Sequence, residues 1–236
     1  MADIDSSVPD PVAAVSTLGE PNRRSLYDYV VAAGGWVGRD QAVDATGLQR
    51  GIVAHHLDRL VEDGLLDVDF QRLSGRTGPG AGRPAKLYRR SLRDIVITLP
   101  PRHYELAGRL LADAVADSQS TGVDVGRAVA AAAAAAGRRM GEEMRDRMGR
   151  RRSADGARDA ALQILSEQGF EPVEDDDGTV LLRNCPFHLL AQHQTELVCG
   201  MNLCLISAAL DELDSSGFEA TLEPDPEMCC VRLHRV

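Results

Sequence analysis

The sequence lacks any apolar run of the roughly 18 to 20 residues that a membrane-spanning helix needs. Its first residues, MADIDSSVPDPVAAV, also lack the basic region and the apolar core of a secretory signal. We therefore expect a cytoplasmic protein with no membrane partner. Hydrophobic residues make up 44% of the 236 positions, which is enough to bury real cores and argues against a disordered protein.

No cysteine occurs before Cys185, and five follow from that position onward. An odd number of cysteines without an export signal argues against a disulfide framework. Metal binding, redox chemistry or simple burial remain as their uses.

Acidic residues are absent between Gln71 and Arg93, although the net charge of the chain is −10. That stretch carries seven cations: Arg72, Arg76, Arg83, Lys86, Arg89, Arg90 and Arg93. After Ser153 the balance reverses, with acidic runs such as EPVEDDDG. A basic first half and an acidic second half indicate that the first half contacts phosphate and the second does not.

The residues after Trp36 have the spacing of a helix-turn-helix, preceded by two short helices or one broken helix. The first helix begins near Arg39, the turn falls at Thr46 and Gly47, and the second helix extends from about Gln49 to Asp63. Its predicted core side chains are Ile52, Val53, Leu57, Leu60 and Val61. Its predicted outer side chains are Gln49, Arg50, His55, His56 and Arg59.

Two predicted strands, LLDVDFQRL and AKLYRR, follow this helix and flank the basic loop SGRTGPGAGRP. The loop has no lysine-serine pair and no following helix, so a phosphate-binding P-loop is excluded, while a solvated linker remains the alternative. We predict an α+β protein with a winged helix-turn-helix at 1–98. The expected DNA contacts are Gln49, Arg50, His55 and Arg59 from the helix, with Arg76, Arg83 and Lys86 from the wing.

The middle of the chain, 99–150, is predicted to be a helical dimerisation segment. Leu106, Leu110 and Leu111 form an apolar stripe on its first helix. A polyalanine run follows, and small side chains let helices approach closely. A dimer contact and a plain spacer both fit this pattern.

The last part, 151–236, is predicted to be a small α/β domain. A helix is followed by a hairpin at Asp177-Gly178, a helix from about Thr195 to Leu213, and a strand pair that turns around Pro224 to Pro226. Cys185 follows the hairpin, Cys199 lies on the helix and Cys229 lies on the final strand. Three thiols from a loop, a helix and a strand can converge although they are distant in sequence.

The remaining cysteines are predicted to lie elsewhere. Cys204 is about 140 degrees around an ideal helix from Cys199, so we assign it to the core. Strand alternation places Cys229 inside with Val231 and Leu233, and turns Cys230 outward unless a bulge exchanges the two. His188 and His193 are candidates for a further metal position, and the cysteine spacing matches none of the compact zinc patterns.

The wing GRPAKLYRR, together with NCPFHLLAQHQTELVCGMN and CCVRL, resembles the SufR-type winged helix-turn-helix iron-sulfur regulators of bacteria. The resemblance covers nearly the whole chain. It implies a homodimeric repressor that binds a double-stranded DNA operator and controls iron-sulfur assembly genes. It places the cluster ligands on Cys185, Cys199 and Cys229, with no evident fourth. Three thiolates suit a [4Fe-4S] cluster better than a [2Fe-2S] cluster, which ordinarily needs four ligands.

Two other functions compete with this hypothesis. An enzyme would use Cys185 with His188 or His193 as nucleophile and base, but no orienting acid has a recognisable spacing, and we expect no enzyme. The main alternative keeps the winged helix and makes the second half a sensor of thiol oxidation or of a small ligand, without a cluster.

Overall fold

The computed structural model describes residues 10–71, 84–148, 153–213, 217–225 and 227–236. The chain divides into two compact units, with the boundary between Ile97 and Thr98. Helices and small antiparallel sheets are mixed in an α+β arrangement, as the sequence predicted. Among the described residues, no helix combines the length and the apolar character needed to cross a membrane.

The first unit combines four helices with a three-stranded antiparallel sheet in the order β1-β3-β2 within its described residues. Its elements are α1 Pro11–Thr17, α2 Pro21–Ala33, β1 Val37–Gly38, α3 Arg39–Thr46, α4 Arg50–Glu62, β2 Leu66–Gln71 and β3 Ala85–Arg90. Gly47 ends α3 with a φ of 68°, a left-handed conformation that glycine adopts without strain. The predicted helices and strands are confirmed, and the two-residue strand β1 was not foreseen.

The core of the first unit is built on one face of α4. Val53, Leu57 and Leu60 are fully buried, at positions i, i+4 and i+7 of the helix. Ile52 was expected on the same face but is 38% exposed, because it lies one position away from that stripe. Val61 is half-buried at the edge of the core.

The second unit contains a four-stranded antiparallel sheet in the order β4-β5-β7-β6. Its elements are α5 Tyr104–Thr121, α6 Val125–Met148, α7 Ala154–Glu167, β4 Pro172–Glu174, β5 Val180–Leu182, α8 His188–His193, α9 Thr195–Asp211, β6 Phe218–Leu222 and β7 Val231–Arg235. The hairpin predicted at Asp177-Gly178 is confirmed by the β4–β5 pairing, and β6 pairs with β7 as predicted.

The polyalanine helix α6 packs closely against α9. A Cβ atom added at Gly137 would overlap the carbonyl oxygen of Leu205, and one added at Gly141 would lie 2.5 Å from the carbonyl oxygen of Ala209. The close approach expected of small residues therefore occurs within this chain. Leu110 is buried in the same core, so 99–150 and 151–236 share one apolar interior.

Candidate functional site

Cys185 lies in the loop that connects β5 to α8, and only 9% of it is exposed. A hydrogen bond with the Cys229 thiol lowers the pKa of Cys185 to about 7, against the opposing effect of burial. The backbone N–H of Phe187 and the charge of Arg102 lower this pKa further. A lowered pKa favours the thiolate, which is the form that binds metal.

Cys229 is buried just before β7 begins at Val231. Its backbone N–H donates to the carbonyl oxygen of Leu182 at 2.9 Å. The side-chain amide of Asn202 donates to its sulfur at 3.2 Å. The hydrogen bond with Cys185 and burial both raise the pKa of Cys229. The prediction that Cys229 faces inward with Val231 is confirmed.

Cys230, expected to face outward, instead lies with its Sγ 2.9 Å from the Sγ of Cys199. Strand alternation failed here because Cys230 precedes the first residue of β7, so its direction is set by a bend. Burial, together with the neighbouring Cys230, raises the pKa of Cys199 to about 12. Cys185, Cys199, Cys229 and Cys230 therefore form a set of thiols in two contacting pairs, which we call the thiol cluster.

Cys204 is not part of the thiol cluster. It is half-buried at the edge of the core, beside a shallow surface pocket that Leu197 and Gly200 also line. This position agrees with the prediction that Cys204 belongs to the core and points away from Cys199.

A cavity of about 310 Å³ lies beside the thiol cluster. Cys185, Cys229 and Cys230 line it together with His188. The imidazole of His188 lies 3.0 Å from the side-chain amide of Gln192. His193, the other predicted metal candidate, is exposed and is not among the residues that line the cavity.

The thiol cluster does not have the arrangement of a site for a single metal ion. Within the described residues, no three His, Cys, Asp or Glu side chains converge on a point suited to one metal ion. The thiols contact one another in two pairs, and four thiolates are a donor set that an iron-sulfur cluster accepts. Within the part of the chain that the structure describes, the Oδ1 atom of Asn202 is buried and has no hydrogen-bond partner, while its amide nitrogen contacts the sulfur of Cys229. A buried acceptor without a partner needs an explanation, and a bound group or an ordered water would supply one.

Asp58 on α4 organises a second polar group, in the first unit. Its carboxylate accepts from Lys86 Nζ at 2.6 Å, from the Tyr88 hydroxyl at 2.6 Å and from Arg39 Nη2 at 2.8 Å. Partial burial acts to raise the pKa of Asp58, but these hydrogen bonds together lower it. The Asp58 network thus joins α3, α4 and β3.

The predicted DNA contacts on the second helix lie on its exposed surface. Gln49, Arg50, His55 and Arg59 are all exposed. Arg50 pairs with Asp40 at 2.8 Å, and Arg59 pairs with Asp63 at 2.9 Å.

Of the three predicted DNA contacts in the wing, the structure describes one, Lys86. Lys86 is bound to Asp58 and is less accessible than expected. Arg76 and Arg83 lie outside the described residues.

Asn202, Asp58 and Arg102 contribute to these polar groups but were not predicted from the sequence. Asn202 follows Cys199 by three positions on α9, a helical spacing that could have revealed it. No sequence signal marks Asp58 or Arg102, since their partners are distant along the chain. No protein-family model, curated protein or solved structure matches this chain.

Proposed function

We propose that this chain is a transcriptional repressor that binds duplex DNA with its first unit and an iron-sulfur cluster with its second, and that it controls iron-sulfur assembly genes. The observation that carries the proposal is the thiol cluster. Cys185, Cys199, Cys229 and Cys230 come together from a loop, a helix and a bend, beside a cavity and an orphaned acceptor. Thiolates are the ligands that iron-sulfur clusters require.

Cys185, Cys199 and Cys229 are the proposed ligands, and Cys230 is now the candidate for the fourth. Its contact with Cys199 supplies the thiolate that the sequence left unassigned. Four thiolates suit [4Fe-4S] and [2Fe-2S] clusters alike, so we keep [4Fe-4S] as the proposal and let the iron content per chain decide.

In this proposal α3 and α4 form the helix-turn-helix, α4 enters the major groove, and β2 with β3 forms the wing. The support is the exposed polar surface of α4. The ion pair of Arg50 with Asp40 is about 70% exposed on both sides, so exchanging the carboxylate for DNA costs little. Lys86 is a weaker candidate because DNA would have to compete with Asp58.

A homodimer remains part of the proposal, because helix-turn-helix proteins of this kind read operators with two-fold symmetry. The leucine stripe no longer supports it, since Leu110 is used in the core of its own chain. A chain that stays monomeric at micromolar concentration, with and without cluster, would remove the dimer from the proposal.

When bound, the cluster supplies a group sensitive to oxidation and to iron supply. The chain's own part is to release the protons of its thiols and to fix four flexible side chains in place. If the arrangement of the thiols with the iron-sulfur cluster bound favours the DNA-binding form, the binding of the iron-sulfur cluster and the binding of the operator are coupled. Loss of the iron-sulfur cluster then weakens operator binding by the free energy of that coupling.

The test combines iron analysis with DNA selection. Protein prepared without oxygen is assayed for iron and sulfide per chain, and bound DNA is selected from random duplexes. Serine variants of Cys185, Cys199 and Cys229 should lose iron, since serine preserves size but is a poor soft ligand. Cys204→Ser is the matched control and should keep it. Full retention of iron in every variant would reject the cluster.

The contact between Cys199 and Cys230 supports a second candidate, a thiol-oxidation switch without iron. Hydrogen peroxide would take two electrons and two protons from the two thiols, forming one S–S bond and two water molecules. An iron-free, colourless protein whose DNA binding changes with peroxide, and no longer does so after Cys230→Ser, would favour this candidate.

A further inference from the structure

The second unit begins with a short segment, 98–103, that follows the last residue of the first unit directly. This connecting segment precedes α5 and lies against the Cys185 loop. The backbone N–H of His103 donates to the carbonyl oxygen of Pro186 at 3.1 Å. The segment is therefore hydrogen-bonded to the residue that follows a proposed cluster ligand.

Arg102 makes the central contacts between the connecting segment and this loop. Its Nη1 donates to the carbonyl oxygen of Cys185 at 3.0 Å and also to the side-chain oxygen of Asn184. Its backbone N–H donates to the hydroxyl of Thr98 at 2.8 Å. Arg102 thus contacts the backbone of Cys185 through its side chain and Thr98, at the start of the second unit, through its own backbone.

Asn184 fixes the other side of this contact and is only 6% exposed. Its amide nitrogen donates to the carbonyl oxygens of Pro101 and Gly169. A Cβ atom added at Gly169 would lie 2.6 Å from the Cβ of Pro101, so the segment is also tightly packed there. Every polar atom of the Asn184 side chain has a partner, which leaves it one favourable orientation.

We infer that Arg102 is a positioning residue that couples the ligand state of Cys185 to the connecting segment, and through it to the DNA-binding unit. The inference rests on the proposed function. A ligand on Cys185 sulfur restricts the loop and keeps the Cys185 and Pro186 carbonyls in place for Arg102 and His103. Without that ligand the loop is less restrained, and these hydrogen bonds hold the segment less firmly.

The experiment compares Arg102→Gln with the wild-type protein. Operator affinity is measured with and without cluster, using the duplex selected from the random library. The ratio of the two affinities is typically about 5-fold to 150-fold where two sites are coupled. In Arg102→Gln we expect iron content and visible spectrum to stay as in the wild type while the ratio falls to within about 2-fold of unity.

Arg109→Gln is the matched control. Arg109 lies on α5, is exposed, and forms a long ion pair of 3.9 Å with Glu105. In Arg109→Gln the ratio of operator affinities with and without the iron-sulfur cluster should equal that of the wild type. A wild-type ratio in Arg102→Gln would overturn the inference.

Amide hydrogen exchange on the wild-type protein gives a second measurement that needs no variant. The N–H groups of Arg102 and His103 should exchange more slowly with the cluster bound than without it. Equal exchange in both states overturns the inference even if Arg102→Gln proves too unstable to study. Wild-type protein that takes up no iron marks the failure of the proposed function instead, so the two failures are distinguishable.

Discussion

In the first unit, α3, α4 and β3 are joined by side chains around Asp58, whereas in the second unit α6 and α9 meet backbone to backbone at Gly137. Among the described residues, no side chain of the Asp58 network has a buried polar atom without a partner. The thiol cluster differs, because its neighbour Asn202 keeps an orphaned acceptor. Complete pairing is what a buried polar group needs for stability, and an acceptor left without a partner needs a further explanation.

The largest expected effect concerns the close contact of α6 with α9. Gly137→Ala should lower the free energy of unfolding by about 3 kcal/mol, because its Cβ meets the backbone of Leu205, which cannot move without displacing α9. Thermal or urea unfolding of the iron-free protein measures this change.

The matched control comes from the first unit. Among the described residues outside its own helical turn, none comes within 4 Å of a Cβ added at Gly51 on α4, so Gly51→Ala should raise stability by about 0.5 to 1 kcal/mol through helix propensity. Stability changes of opposite sign at Gly137 and Gly51 would support the backbone contact of α6 with α9 as a feature of the second unit. Equal small effects would show that α6 and α9 are not in backbone contact.

The second prediction concerns the Asp58 network. Asp58→Ala leaves the fully buried Tyr88 hydroxyl without its acceptor and separates Arg39 and Lys86 from their shared partner. We expect a loss of about 2 kcal/mol in the free energy of unfolding of the first unit. Asp28→Ala removes an exposed carboxylate with a 3.9 Å ion pair and should change stability by less than about 0.5 kcal/mol. Similar effects of the two variants would contradict the structural role of Asp58.

Features that depend on local sequence were predicted better than contacts between residues that are distant along the chain. Local patterns were sufficient for the helices of the first unit and for β2 and β3, but they did not predict the two-residue strand β1. Separate local patterns selected Cys185 and Cys229, whose thiols are in contact. That Cys185, Cys199 and Cys229 act together at one site stays a prediction. Residues whose partners are distant in sequence were not foreseen: Asp58, Arg102 and the contact of Cys230 with Cys199.

Particular errors have particular physical causes. Alternation was applied to Cys230 before the strand had begun, so its direction was wrong. The small residues of α6 promise close packing, but nothing local identifies α9 as the partner, so the same pattern fitted a dimer contact. A sequence pattern indicates which surface of a helix or strand can pack closely, but the partner of that surface depends on the tertiary fold.

The last and smallest effect tests whether the orphaned acceptor of Asn202 marks a ligand site. Asn202→Leu replaces the amide by an apolar side chain of similar size, so it removes the weak hydrogen bond to Cys229 and the unpaired Oδ1 together. In the iron-free protein the free energy of unfolding should change by less than about 1 kcal/mol, because the lost bond and the removed desolvation cost nearly cancel.

The cluster-loaded protein should respond differently to the same change. Hydrogen bonds to cluster sulfurs raise the reduction potential, so Asn202→Leu should lower it, as a redox titration of the visible spectrum would measure. Asn22→Leu, at an exposed site in the first turn of α2, serves as the control and should leave the potential unchanged. Iron-free Asn202→Leu could instead lose as much stability as Asp58→Ala. That result would mean that Asn202 is a structural residue like Asp58. The polar groups around the thiol cluster would then be paired as completely as those of the Asp58 network.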